Sequence, residues 1–247
     1  MATVFVWLTG LIFSNTSIYD PYWSVAPPVY FTSFFISFKT AKQHLASFLL
    51  LASVWIWGIR LTLNWAKTFT NLSHQDWRYQ YFKDHCHFLI WHIINFFGLN
   101  LIPTIVVFLA MLPGYDILNY DIYYLQQNHA IVIIGFFLSL TGVLFEHLAD
   151  TQLREFRRTH ENGRVCNVGL WKYSRHPNYL GEIMMWWGVY IMSLNSTFPR
   201  KFPIGAVANT ILFTFVSIPL MERRQLKNKP DYIEYKKRTG MLLPKIF

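Results

Sequence analysis

The chain has 247 residues, of which 53% are hydrophobic, 19% aromatic and only 14% charged. A soluble domain carries about 25% charged residues, so this composition excludes an ordinary soluble domain and points to one helical, membrane-embedded domain. The net charge of +9 gathers near the ends of the apolar runs and in the C-terminal tail, which suits anionic headgroups or a phosphorylated ligand rather than nucleic acid.

Apolar runs predict an all-α, polytopic membrane protein of about seven spans, at 1–14, 24–38, 44–59, 88–112, 129–149, 180–195 and 203–221. Residues 1–14 lack the basic n-region of a cleavable signal and read as a first span. A hydrocarbon core needs about 20 helical residues, so the shorter runs must extend into their flanks, tilt or re-enter. Charge sets the orientation. The odd-numbered connections and the tail hold four Lys/Arg from Arg60 to Lys83, six from Arg154 to Arg175 and eight from Arg223 to Lys245. The opposite face holds Lys39, Lys42, Arg200 and Lys201. This bias puts the C-terminus in the cytosol and the N-terminus in a lumen. Asp116 and Asp121 then fall on the lumenal side. The sequons at Asn15 and Asn71 face the cytosol and that at Asn195 abuts a membrane end, so no glycosylation is expected.

The first connection, residues 14–28, sets Asp20, Tyr22 and Trp23 among three prolines. Asp20 is either an acid held neutral by burial or the cap of a helix opened by Pro21. The third run ends with Arg60 and Asn64, which share one helix face. The polar stretch Ser73-His74-Gln75-Asp76-Trp77-Arg78-Tyr79 follows, suited to a pocket wall or to an interfacial loop. Asp84, His85, Cys86, His87 and His92 have the spacing of no standard metal site. Two cysteines, Cys86 and Cys166, make no disulfide framework, although a membrane-edge cysteine is open to palmitoylation. Pro103 should kink the fourth span.

From Glu146 the fifth span runs on as a helix into the cytosol. Asp150, Arg154 and Arg157/Arg158 fall on one face, a cradle for phosphates or a plain positive-inside anchor. Residues 169–182, Gly-Leu-Trp-Lys-Tyr-Ser-Arg-His-Pro-Asn-Tyr-Leu-Gly-Glu, then lead into the sixth span. Pro177 suits a first helical turn, whose free N–H groups favour an anion. Lys172 and Arg175 add charge. The tail from Met221 to Pro244 is basic and aromatic, able to fold back over a ligand or to lie on anionic lipid.

These residues resemble the steroid 5-alpha-reductase superfamily of membrane reductases, in its broad, uncharacterised branch. The Gly-Leu-Trp-x-Tyr-Ser-Arg-His-Pro-Asn-Tyr-x-Gly-Glu run of 169–182 carries the resemblance. The Asp150–Arg158 helix, the tail at 232–244, the element at 15–23 and Asp76-Trp77-Arg78-Tyr79 add to it. The resemblance implies NADPH bound from the cytosolic side in residues 129–247, with Asp150, Arg154, Arg157, Arg158, Tyr173, Arg175, His176, Asn178, Glu182 and Arg223 or Arg224 as the binding set. Residues 1–112 would form the substrate half. The implied reaction reduces a carbon–carbon double bond conjugated to a carbonyl in a lipidic substrate. With no other address visible in the sequence, the endoplasmic reticulum membrane is the expected location.

The pattern also departs from the steroid reductases. Asp20, seven residues before Pro27, stands where they place a Glu. Trp57, three before Arg60, stands at their tyrosine, and an indole N–H cannot supply a proton as a phenol does. Asp20, Tyr22 and Tyr79 are therefore the candidate catalytic groups. Gln152-Leu153 replaces a Gln-Lys pair of the sterol reductases. Isoprenylcysteine and phospholipid methyltransferases, which use S-adenosylmethionine, share an Arg-His-Pro-x-Tyr-x-Gly element, but carry Glu-Glu where this chain has Glu222-Arg223. A non-catalytic lipid-binding protein of the same fold is the third reading.

Overall fold

The structure, a computed structural model, describes residues 1–69, 71–73, 75–119, 128–161, 163–194 and 203–245. His74, Asp121, Asn195, Arg200 and Lys201 lie outside these residues. Among the described residues the fold is all-helical, with one isolated β-bridge and no strand. It divides into two compact units, Met1–Leu125 and Gln126–Phe247. A helix stands at each of the seven apolar runs. Among the described residues, four are long and apolar enough to cross a membrane: Leu45–Thr68, Phe88–Asn119, His129–Thr159 and Ile204–Asn228. The other three, Ala2–Ile12, Tyr22–Ser37 and Pro177–Ser193, have 11, 16 and 17 residues, short of the roughly 20 a span needs. Among the described residues, the seven expected spans thus correspond to four helices of spanning length and three shorter ones.

In the first unit, α1 (Ala2–Ile12) ends in a Schellman turn. Ser14, at φ 52°, takes the left-handed conformation that glycine usually fills, and Asn15 N–H reaches back to Gly10 O at 2.9 Å. The 3-10 turn Thr16–Tyr19 follows, with its Ser17 N–H capped by the Asn15 side chain. Then come α2 (Tyr22–Ser37) and α3 (Leu45–Thr68). These two approach closely at Gly58, where a Cβ would lie 2.7 Å from both Pro28 Cγ and Ser24 O. Ser24 and Thr62 hydroxyls meet at 2.9 Å, and Trp55 Nε1 donates to Thr32 at 3.0 Å. Trp57, at the position of the family tyrosine, is fully buried with its ring 5.9 Å from Trp23.

Helix α4 (Trp77–His85) is capped by Asp76, and α5 (Phe88–Asn119) completes the unit. Instead of a simple proline kink, α5 carries a π-helical stretch, Ile94–Leu101, just before Pro103. The wider turn absorbs the carbonyl that a proline cannot serve. The same device recurs in the second unit, where π-helical Leu212–Ser217 precedes Pro219.

The second unit is built on α6 (His129–Thr159) and α7 (Pro177–Ser193). The 31 residues of α6 extend about 46 Å at 1.5 Å per residue, longer than a hydrocarbon core of about 30 Å, and the helix continues unbroken through Arg154, Arg157 and Arg158. Gly135, Ser139 and Gly142 on α6 face Gly181, Met185 and Gly188 on α7 so closely that the backbones touch. Ser139 Oγ donates to Met185 O at 3.0 Å. Helix α8 (Ile204–Asn228) and α9 (Tyr232–Arg238) follow.

Candidate functional site

Each unit holds one chemically dense region. In the first, the connection after α1 is stitched to the segment before α4. Asn15 Nδ2 donates to Leu72 O at 2.7 Å, Thr16 N–H to Gln75 Oε1 at 3.0 Å, and Asp76 N–H to Ser17 Oγ at 2.8 Å. These bonds bring Tyr79 to Asp20, and the phenol donates to Asp20 Oδ1 at 2.6 Å. Asp76 is taken up by Arg78, whose Nε lies 2.8 Å away. Burial is the largest influence on Asp20 and raises its pKa to about 6, against the lowering effects of Tyr79 and Arg78. Burial also holds the Tyr79 phenol well above its usual range. Of the two readings of Asp20, the structure gives a half-buried carboxyl on a phenol: Asp20 ends the 3-10 turn, and its side chain caps no helix. Tyr22, the third catalytic candidate, stands apart from the pair. Its hydroxyl lies 3.4 Å from Thr3 Oγ1 and its ring 5.7 Å from Tyr19.

Beside this pair runs a buried polar chain that sequence reading missed. Thr16 Oγ1 donates to Asn95 Oδ1 at 3.4 Å, Asn100 Nδ2 to Asn95 O at 2.8 Å, and the Tyr19 hydroxyl meets Thr104 Oγ1 at 3.0 Å. Asn95 and Asn100 are five apart, and the π-helical turn is what brings them together. The Asn15 sequon is a buried structural cap, which disfavours its glycosylation whatever side of the membrane it faces.

In the second unit the stretch 169–182 docks on α6. Gly169 adopts φ 56°, and a Cβ there would strike the Gln152 side chain at 2.5 Å. Gln152 Oε1 accepts from Leu170 N–H at 2.9 Å, and Trp171 Nε1 donates to Ala149 O at 2.9 Å. Trp171 packs with Ala149, Phe156 and Cys166. The tail folds back onto this loop. Arg175 N–H donates to Gly240 O at 2.9 Å, Ser174 Oγ to Met241 O at 3.3 Å, and the Tyr235 hydroxyl to Trp171 O.

Glu222 is the hub of this closure. Its buried carboxylate accepts from Arg175 Nε at 2.7 Å and lies 3.3 Å from His176 Nε2 and 2.6 Å from Lys236 Nζ. Arg175 Nη1 also donates to the carbonyls of Lys236 and Thr239. The loop arginine thus spends its donors on Glu222 and the tail. Burial pushes the His176 imidazole below its ordinary value despite Glu222, which favours the neutral ring.

A cleft opens beside the hub, lined by Arg157, Cys166, Asn178, Gln225, Lys229 and Tyr232 among others, with no carboxylate in its wall. Its enclosed volume is about 90 Å³, within a wider opening of about 570 Å³. Burial pushes the Lys229 ammonium down, and the nearby Arg157 cation adds to the effect. Of the expected binding set, Arg157, Arg175, His176 and Asn178 line this cleft. Asp150 accepts a long bond from Asn178 at 3.5 Å. Arg154 bonds Thr151 Oγ1 at 3.1 Å, and Arg158 pairs with Glu155 at 3.4 Å. Tyr173 is exposed beneath Lys172. Glu182 is buried and accepts from Trp186 Nε1 at 2.8 Å. Arg223 and Arg224 are exposed. Lys229 and Lys236 were not singled out from sequence, and Glu222 stood out only beside Arg223, where the methyltransferases carry Glu-Glu.

No group of three or more potential metal ligands assembles among the described residues.

The fold and these regions define an all-helical integral membrane protein with a tail-closed cationic cleft. Residues 6–239 match the family model described as "Protein of unknown function (DUF1295)", and the chain belongs to that family. It sits in the uncharacterised branch of the steroid 5-alpha-reductase-like superfamily. An uncharacterized protein of Schizosaccharomyces pombe is 23% identical over 98% of this chain and 76% of its own length. Human 3-oxo-5-alpha-steroid 4-dehydrogenase 1 is 31% identical over 116 residues, which cover 47% of this chain and 42% of that enzyme. Methanethiol S-methyltransferase 1 of Bradyrhizobium diazoefficiens is 36% identical over 76 residues, 30% of this chain and 24% of that protein.

Proposed function

We propose that the chain is a membrane-bound reductase that uses NADPH to saturate a carbon–carbon double bond conjugated to a carbonyl in a lipidic substrate, whether steroid-like, polyprenoid or enoyl. The observation that carries this reading is the cleft of the second unit. Arg157 and Lys229 face it, and no carboxylate lines it. Two cations beside one another without an acid favour a polyanion, and the similarity to a human steroid dehydrogenase supports a nucleotide there.

The donor set fits the phosphates of such a cofactor. Arg157 and Lys229 would hold phosphate oxygens, with the Asn178 and Gln225 amides as polar partners. The enclosed 90 Å³ suits a phosphate rather than a whole dinucleotide, so the open side of the cleft would take the remainder. NADPH, when bound, supplies the hydride.

The chain must then supply a proton. Asp20 and Tyr79 suit that task, because burial keeps both groups protonated more readily than in water. Tyr79 can donate to a carbonyl oxygen as negative charge develops and recover its proton from Asp20. This replaces the family tyrosine, whose position Trp57 fills in the core.

The charge bias of the connections supports a cytosolic C-terminus and a lumenal N-terminus, and we place the protein in the endoplasmic reticulum membrane. The second reading, S-adenosylmethionine-dependent methyl transfer, draws on the methyltransferase match. A sulfonium cofactor has no phosphate for Arg157 and Lys229. Titration of the purified chain with NADPH, NADH and S-adenosylmethionine separates the readings. NADPH should bind, and more tightly than NADH. Binding of S-adenosylmethionine alone would establish the methyltransferase, and binding of none would leave a lipid-binding protein. Deletion of the gene should make an unsaturated lipid accumulate.

A further inference from the structure

The first unit contains a second cavity, about 380 Å³, which the proposed reaction does not use. Its wall is formed by the end of α1 (Gly10, Leu11, Ser14), by Thr16 and Gln75, by Lys83 and Cys86, and by the start of α5 (Phe88, Trp91, His92, Asn95). The volume is that of a typical small-ligand site, about 300–1,000 Å³.

The chemistry of this wall has one sign. Lys83 and His92 are its titratable nitrogen groups, and no Asp or Glu lines it. The acids near it in sequence are turned elsewhere. Asp84 accepts from Gln80 Nε2 at 2.7 Å, Asp76 holds Arg78, and Asp20 holds Tyr79. Gln75 has its carbonyl fixed on Thr16 N–H, while its buried Nε2 has no partner. Helix α5 opens here, with His87 as N-cap and no side-chain cap. The unserved N–H groups of that first turn, and the positive end of a 32-residue helix, add to the field.

The surroundings are apolar. Ile12, Phe13, Phe88 and Leu89, at or next to the lining residues, are 76%, 53%, 68% and 64% exposed. Both helices that contribute most of the wall carry further exposed apolar residues, among them Phe5 and Leu8 on α1 and Ile93 and Phe97 on α5. A small free anion has no use for that surface, whereas acyl chains do.

We propose that this cavity binds the phosphate headgroup of an anionic membrane lipid, with Lys83 and His92 on the phosphate and the acyl chains along α1 and α5. The site is separate from the cationic cleft of the second unit and does not depend on the reductase reading.

Cys86 lines the cavity and is half-buried, whereas the other cysteine, Cys166, is buried in the second unit. Cys86 is therefore a built-in reporter. The full chain is purified in neutral detergent and alkylated with N-ethylmaleimide, and each thiol is followed by peptide mass. Alkylation is compared with added phosphatidylcholine, phosphatidylcholine doped with phosphatidic acid, or inorganic phosphate. Phosphatidic acid should slow Cys86 severalfold, while phosphatidylcholine alone has no effect. Lys83→Gln should weaken the protection about fivefold, the usual share of one cation near an anionic surface. Native mass spectrometry of the same samples counts retained lipid and covers the case of an unreactive Cys86. Equal protection by phosphatidylcholine, or full protection and lipid retention in the Lys83→Gln/His92→Gln double variant, would overturn the proposal. Protection by inorganic phosphate as strong as by phosphatidic acid would also overturn it, in favour of a small-anion site.

Discussion

Tyr79 donates a hydrogen bond to Asp20 at 2.6 Å across 59 residues of sequence. The contact is prepared by backbone bonds on both sides, from Thr16 to Gln75 and from Asp76 to Ser17. A carboxyl and a phenol held this way are positioned before any substrate arrives, which lowers the entropic cost of using them.

Asp20 should make stability depend on pH. Its folded pKa, about 6, lies above the ordinary 3.8, so folding favours the protonated form. That contribution is complete below pH 3.8 and is lost as pH rises to about 6. Asp20→Asn keeps an oxygen for Tyr79 and removes the charge. It should stabilise the protein at pH 8 by about 3 kcal/mol at most, and the gain should vanish near pH 4. Thermal unfolding of both proteins across this range checks it. If the pair is also the acid of the proposed reaction, the same variant is stable and inactive.

The tail should be released by breaking its hub. Arg175 contacts Glu222 through Nε and the carbonyls of Lys236 and Thr239 through Nη1. Arg175→Lys cannot span these partners with a single ammonium. Glu222→Gln leaves Arg175 buried without its counter-charge, a change that costs about 3–5 kcal/mol when one partner of a buried pair is removed. Both variants should become sensitive to trypsin at Lys236, Lys237 and Arg238, while the rest of the chain resists. Limited proteolysis with mass mapping reads the outcome, and an uncut tail in Glu222→Gln would remove the hub role.

The sequence disclosed these elements unevenly. The apolar runs placed every long helix, because hydrophobicity over twenty residues is a local property. The loop at 169–182 stood out because it crowds cations, phenols and glycines into one stretch. Span length was less legible, since α2 and α7 follow their apolar runs to within three residues but gain too little at their flanks to reach the roughly 20 residues of a span. Pro103 was read as a kink, but the π-helical turn before it depends on how Asn95 and Asn100 are served within the fold. Glu222 and Lys229 gain their meaning only when the tail returns to the loop, and no local pattern encodes that return. Tyr79 was visible as a candidate, and its partner was visible separately. Their pairing rests on Asn15, Ser17 and Gln75, ordinary polar residues of the two connecting segments.

Close contact of α6 and α7 gives a packing prediction. A Cβ on Gly135 would lie 2.6 Å from Gly188 O and 2.7 Å from Met192 N. These are backbone atoms that cannot step aside, so the helices must separate. Gly135→Leu should abolish a monodisperse, folded protein, and even Gly135→Ala should lower the melting temperature clearly. Gly98 is the control, since a Cβ there meets only Ile94 Cγ2 at 3.7 Å. Gly98→Ala should be neutral or slightly stabilising, because alanine is favoured over glycine in a helix by about 1 kcal/mol. Size-exclusion profiles and melting curves of the three variants decide the matter.

The cationic cleft makes the final prediction. Lys229 is half-buried, and both burial and Arg157 push its ammonium below the usual value. An anion seated between the two would reverse that pressure, so ligand binding should raise the Lys229 pKa and take up protons near the upper end of the pH scale. Lys229→Ala and Arg157→Ala should each weaken NADPH roughly tenfold, about the worth of one charged hydrogen bond at 1.5 kcal/mol. Binding should also weaken with added salt. Arg158→Ala, which removes an exposed arginine paired with Glu155, should leave affinity nearly unchanged. If one cation serves the 2′-phosphate, its loss should reduce the preference for NADPH over NADH, whereas loss of a diphosphate contact weakens both equally. Calorimetric titration of the three variants with both nucleotides tells these cases apart. A uniform lack of effect from Lys229→Ala and Arg157→Ala would move the nucleotide away from this cleft.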